Sequence, residues 1–184
     1  MKTGSMEVTA VLREQHRQIR RAFIRAAGPG RGRSKAFHHL VRLLATHEAA
    51  EEAHIHPTAR RAGRTAAAAA RVGEEKQAKE LLARLYRIGP DGHGYLRGLL
   101  SLRRAVLAHA AREEREEFPA LERLSRARRR MLGLEVKLAR ELAPTRPHPR
   151  VNGELANRLA MPVLGPADRC RDLVRRRTPA ARRR

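Results

Sequence analysis

At 184 residues the chain has room for one packed domain with extensions, and its 41% hydrophobic content is enough to fill a core. Aromatic residues make up only 3% and Trp is absent, so Ala and Leu must supply that core, which favours helices over sheets. The formal charge of +22 points towards anionic partners. Yet only five basic residues are Lys (Lys2, Lys35, Lys76, Lys79, Lys137) and the rest are Arg, a bias typical of a GC-rich genome, and the few aromatics are poor material for stacking bases.

A flexible N-terminus over 1–7 is expected to lead into a helical domain over 8–142. The first helix runs from about Val8 to Ala26 on a stripe of Val8, Leu12, Ile19 and Phe23, and it stops at the GPGRGR turn of 28–33. His16 interrupts that stripe. The second helix starts near Ser34, a plausible N-cap, and runs to about Ala62 with a bend or break at Pro57. Its stripe of Phe37, Leu40, Val41 and Leu44 continues into His47 and Glu51. The third helix spans about Thr65 to Arg87, with Glu75 among Val72, Leu82 and Leu85. The fourth follows the GPDGHG turn of 89–94 and ends at Phe118 before Pro119; its Leu99, Leu102 and Val106 lead into His109 and Glu113. A fifth, basic segment from Ala120 to Leu142 continues it beyond a Pro kink or stands as an additional helix.

From 143 to 184 the composition changes to a Pro/Arg-rich tail that should be largely extended, with one short helix expected at Pro166 to Arg177. The fold class expected is all-α: four amphipathic helices joined by short turns, an up-down-up-down bundle with a kinked or additional C-terminal helix and a basic tail. The single Cys170 excludes an intramolecular disulfide and a Cys-built zinc site. No stretch approaches the ~18 apolar residues needed to span a bilayer, and MKTGSMEVTA has no apolar segment, so a cytoplasmic location away from membranes is expected.

The sequence repeats one phrase. Residues 47–57 read HEAAEEAHIHP and residues 109–119 read HAAREEREEFP, sharing His, Glu at +4, Glu at +5 and Pro at +10. Residues four apart lie one above the other on a helix, so His47 pairs with Glu51 and His109 with Glu113 on one face each. Solvated Glu and surface His would explain any one of these residues. Repetition on apolar stripes does not fit that explanation, because burying an unpaired carboxylate costs several kcal/mol and the seams offer few cations beyond Lys79 and Arg103. Two metal ions would resolve the charge. Imidazole and carboxylate without thiolate suit iron or manganese better than zinc.

With His16, His47-x3-Glu51 and His109-x3-Glu113 on successive seams, residues 8 to about 120 resemble a hemerythrin-type domain of the HHE cation-binding family, and the tail is similar to extensions on actinobacterial members. The resemblance implies a four-helix bundle holding two iron ions, joined by carboxylates and an oxo or hydroxo bridge. It also implies one His, or a His-x3-His pair, on the third helix, where this chain has Glu75 and Lys79. Three readings compete there: Glu75 is itself a ligand, His54 or His56 substitutes, or a water completes the site. The expected metal set is therefore His16, His47, Glu51, Glu75, His109 and Glu113, with Glu114 as the alternative to Glu113 and with Glu52 and Glu116 solvated or in supporting roles.

Carboxylate in place of imidazole favours the ferric state, which argues against O2 carriage and towards peroxide, O2 or NO chemistry. Catalase- or peroxidase-like detoxification is the leading expectation. A sensing or storage module for O2, NO or iron is the alternative, and a basic helical protein that coats nucleic acid is the second. Small-molecule ligands are the expected partners, nucleic acid only through the Arg-rich tail, and a monomer or small homo-oligomer is expected.

Overall fold

The computed structural model describes residues 6–142, and these are helical apart from turns. In chain order they form α1 (Val8–Ala27), α2 (Gly32–Ala50), a π-helical turn (Glu51–Ile55), α3 (His56–Arg61), α4 (Thr65–Ile88), α5 (Tyr95–Glu116), α6 (Phe118–Glu122) and α7 (Arg126–Leu142). The tail over 143–184, with the short helix expected in it, lies outside the described residues, as do residues 1–5. Among the described residues no helix is long and apolar enough to cross a membrane.

The bundle is built from α1, α2, α4 and α5, with α1 against α2 and α4 against α5 as its two broad contacts. Short turns reverse the chain at residues 28–31 and 89–94, where Gly30, Gly89 and Gly94 all take positive φ. One local expectation fails: α2 begins at Gly32 with Arg31 at its N-cap, so Ser34 lies inside the helix and caps nothing. The fifth segment is an additional helix. The chain breaks after α6, and Ser125 Oγ accepts a hydrogen bond from the Arg128 N–H at the head of α7.

Helix α7 packs across α1 and α2. It approaches the chain ahead of α1 so closely that a Cβ at Gly133 would collide with the Met6 carbonyl. Glu7 and Arg129 form an ion pair at 3.2 Å across the same contact.

The apolar core is divided. One cluster, including Ile19, Phe23, Phe37, Leu40, Leu82, Leu85, Tyr95, Leu99 and Leu102, fills the turn end of the bundle. There the Tyr95 hydroxyl donates to the Ala26 carbonyl at 3.0 Å, a packing role. The other cluster joins Val8, Leu12, Ala50, Ile55, Phe118 and Leu121 to Leu132 and Val136 of α7. Between them lies a buried polar layer. His16 stands between Leu12 and Ile19 on α1, His47 between Leu44 and Ala50 on α2, and His109 between Leu102 and Phe118. The two apolar clusters thus fix the height at which these side chains meet.

Candidate metal centre

Glu51 lies at the middle of the polar layer and is 1% exposed. On one side its Oε1 is 2.9 Å from His47 Nε2 and 4.0 Å from His16 Nε2, while His16 Nε2 is 3.1 Å from Glu113 Oε2. On the other side its Oε2 is 3.7 Å from His109 Nε2, which lies 3.8 Å from Glu75 Oε1. Glu75 Oε1 is also 2.5 Å from His56 Nε2. Donor atoms of His16, His47, Glu51 and Glu113 fall within 4.8 Å of one another, and so do those of Glu51, His56 and Glu75. Two groupings therefore share one carboxylate.

The polar atoms that face inward are poorly satisfied by protein alone. His16 Nε2, His109 Nε2, Glu51 Oε1, Glu75 Oε2 and both Glu113 oxygens are buried without a hydrogen-bond partner. Buried polar atoms in native proteins nearly always have partners, so a cluster of exceptions fits a cation held among them. Imidazole and carboxylate donors at this density suit a transition-metal cation.

Charge follows the same layout. Burial disfavours charge on His16, but the carboxylates of Glu113 and Glu51 outweigh it and raise the imidazole to about 10. His109 is likewise opposed by burial and lifted by Glu51, Glu75 and Glu113 to about 9. Burial, reinforced by Glu51, raises Glu113 to about 8. Glu51 itself is held well below its ordinary value, because the surrounding imidazoles overcome its burial. Without a cation, protons supply the positive charge.

Over residues 7–121 the sequence matches the family described as Hemerythrin HHE cation binding domain. The chain belongs to that family. Its fold is similar to the crystal structure of a hemerythrin HHE cation binding domain-containing protein from Mycobacterium kansasii, with a TM-score of 0.66 and 26% identity over 73% of this chain and 85% of that one. No curated protein gave a significant match.

Within the HHE domain, the side chains expected from sequence (His16, His47, Glu51, Glu75, His109, Glu113) all reach the polar layer, and His56 joins them. Glu75 and His56, alternatives for one position in the sequence, both point inward. His54 does not: its Nδ1 faces Glu135 of α7 at 3.5 Å. The cause is the π-helical turn. The His56 N–H donates to the Glu51 carbonyl five residues back, and Pro57 has no N–H with which to extend an α-helical ladder. One added residue per turn rotates His54 outward and brings His56 under Glu51.

The outward nitrogens also have partners. Gln15 Oε1 accepts from His47 Nδ1 at 2.7 Å, Glu114 from His16 Nδ1 at 2.7 Å, Glu74 from His109 Nδ1 at 3.2 Å, and Glu117 from His56 Nδ1 at 3.2 Å. Four acceptors thus hold a proton on Nδ1 and turn Nε2 to the centre, the orientation that suits metal-binding imidazoles. Glu114 sits outside Glu113, against His16 Nδ1. Gln15, Glu74 and Glu117 were not singled out in the sequence, although Gln15 and Glu74 each adjoin a candidate residue. Glu52 is buried and tied to Lys79, whereas Glu116 is at the half-exposed rim with Arg71.

A cavity of about 40 Å³ opens beside these groups. His16, His47, Glu51, Glu75 and His109 form its polar end, while Ile19, Leu44, Leu82, Leu102 and Val106 form its apolar wall. That is room for a few atoms, and too little for an organic substrate.

Proposed function

We propose that this HHE domain holds two iron ions and acts on small ligands such as peroxide, O2 or NO, with catalase- or peroxidase-like removal of peroxide as its reaction. The observation that carries the reading is the shared Glu51, flanked on both sides by buried imidazole nitrogens and carboxylate oxygens that face one another at 2.9–4.0 Å, several of them without a hydrogen-bond partner. His16, His47, Glu51 and Glu113 would hold one ion. Glu51, His56, Glu75 and His109 would hold the other. Bound iron would supply electron exchange with a small oxidant.

The residues of the chain do the rest. Gln15, Glu74, Glu114 and Glu117 keep four imidazoles turned inward, so the donor set is formed before a cation arrives. The apolar wall limits entry to small molecules and keeps bulk water from the polar end. Glu75 adds a third carboxylate, whose negative charge favours the ferric state and supports redox turnover over reversible O2 carriage.

Iron-loaded protein is expected to evolve O2 from peroxide, and His47→Ala or Glu113→Ala should lose both iron and turnover. Turnover no better than free iron in the same buffer would defeat the enzymatic reading. Slow turnover combined with ligand-dependent absorbance changes would favour the sensing or storage module.

A further inference from the structure

Three side chains beside the centre hold none of its imidazoles. Glu48 and Glu52 each follow a candidate ligand by one residue, and being four apart they project from a single stripe towards α4. Lys79 Nζ donates to Glu52 Oε1 at 3.1 Å and lies 3.4 Å from Glu48 Oε1. One ammonium therefore faces two carboxylates. Oxygens of Glu48, Glu52 and Glu75 come within 4.8 Å of one another. Glu52 is 3% exposed and Glu75 is 4% exposed, and each has one oxygen (Oε2) without a hydrogen-bond partner. The Glu48 side chain is 14% exposed and, with Lys79, lines the cavity that leads to the centre. The cluster thus runs from the cavity wall to Glu75, which also belongs to the second ion position.

We propose that Glu48, Glu52 and Glu75 form a transit site through which a divalent first-row cation enters the metal centre, with Lys79 holding the site closed until the cation arrives. This rests on the metal-centre reading above. Carboxylate oxygens can replace the water shell of an incoming cation stepwise. A divalent cation carries twice the charge of one ammonium and binds several oxygens at once, so it competes for the position. The flexible four-carbon stem of Lys79 lets its head withdraw into the cavity.

The test uses metal-free full-length protein mixed with Co2+ in a stopped-flow spectrometer, with bound metal counted after desalting. Glu48→Gln and Glu52→Gln should slow loading about tenfold while the final count stays at the wild-type value. Lys79→Met should retain one further equivalent, lost again when combined with Glu52→Gln. Unchanged loading rates in both Glu variants overturn the proposal, as does a wild-type count in Lys79→Met. A reduced final count in Glu52→Gln also overturns it, because Glu52 would then be a ligand of the finished centre. If Lys79→Met fails to fold, the two Glu variants decide. Wild-type protein that binds no Co2+ would defeat the metal-centre reading instead.

Discussion

The two histidines nearest Pro57 differ in what they face, and that difference is testable. His56 is buried between Glu75 and Glu117, whereas His54 lies beside Glu135 at the α7 contact. His56→Ala is therefore expected to weaken the second ion position by about 100-fold or more while leaving the first occupied, whereas His54→Ala should leave both intact. Equilibrium dialysis with Co2+ checks this; equal losses in the two variants would contradict the assignment. His16, His47, Glu51, His109 and Glu113 were legible in the sequence because each extends an apolar stripe where charge is expensive. His56 could be named only as one of several substitutes, since helical spacing alone places His54 on the His47 face. Gln15, Glu74 and Glu117 act on imidazoles of other helices, a relation that spacing within one helix cannot reveal.

At the scale of elements, Pro57 and Pro119 close the two copies of the repeated phrase, and each changes the path of its helix. Pro57 follows the π-helical turn that brings in His56. Pro119 is the second residue of α6, whose N-cap is Glu117, and that carboxylate is buried against His56. The repeat therefore supplies both halves of a cross-bundle contact as well as two pairs of candidate ligands. Restoring the missing N–H with Pro57→Ala should let an α-helical ladder compete with the π turn. The expected outcome is a loss of affinity at the second position of about tenfold or more, with helix content preserved by circular dichroism. Unchanged affinity would show that Pro57 does not set the register. Helix limits in the sequence were readable from Gly and Pro to within a few residues. The π turn was not, because its cause is a local competition among backbone hydrogen bonds.

For the molecule as a whole, two apolar clusters hold a charged layer that the fold alone leaves incompletely compensated. At pH 7 the metal-free centre keeps protons on His16 (about 10), His109 (about 9) and Glu113 (about 8), and on His56, whose burial is outweighed by Glu75 and Glu117, which hold it well above its ordinary value. Metal binding needs these groups deprotonated, so uptake should release on the order of four protons per chain at pH 7, and affinity should fall as pH falls. The raised imidazoles stabilise the metal-free fold fully below their unfolded value, and that contribution is lost as pH rises through about 9 to 10. Glu113 works in the same direction, since its raised value makes the folded state less favourable as pH climbs towards about 8. The melting-temperature gap between metal-loaded and metal-free protein should therefore widen from neutral to alkaline pH. A gap that narrows would contradict the assigned protonation. The most direct measurement is the metal content of full-length protein after anaerobic reconstitution with Fe2+ and air oxidation. The proposed di-iron centre predicts about two irons per chain with an iron charge-transfer band in the visible spectrum. Less than about half an equivalent, with no such band, would contradict it.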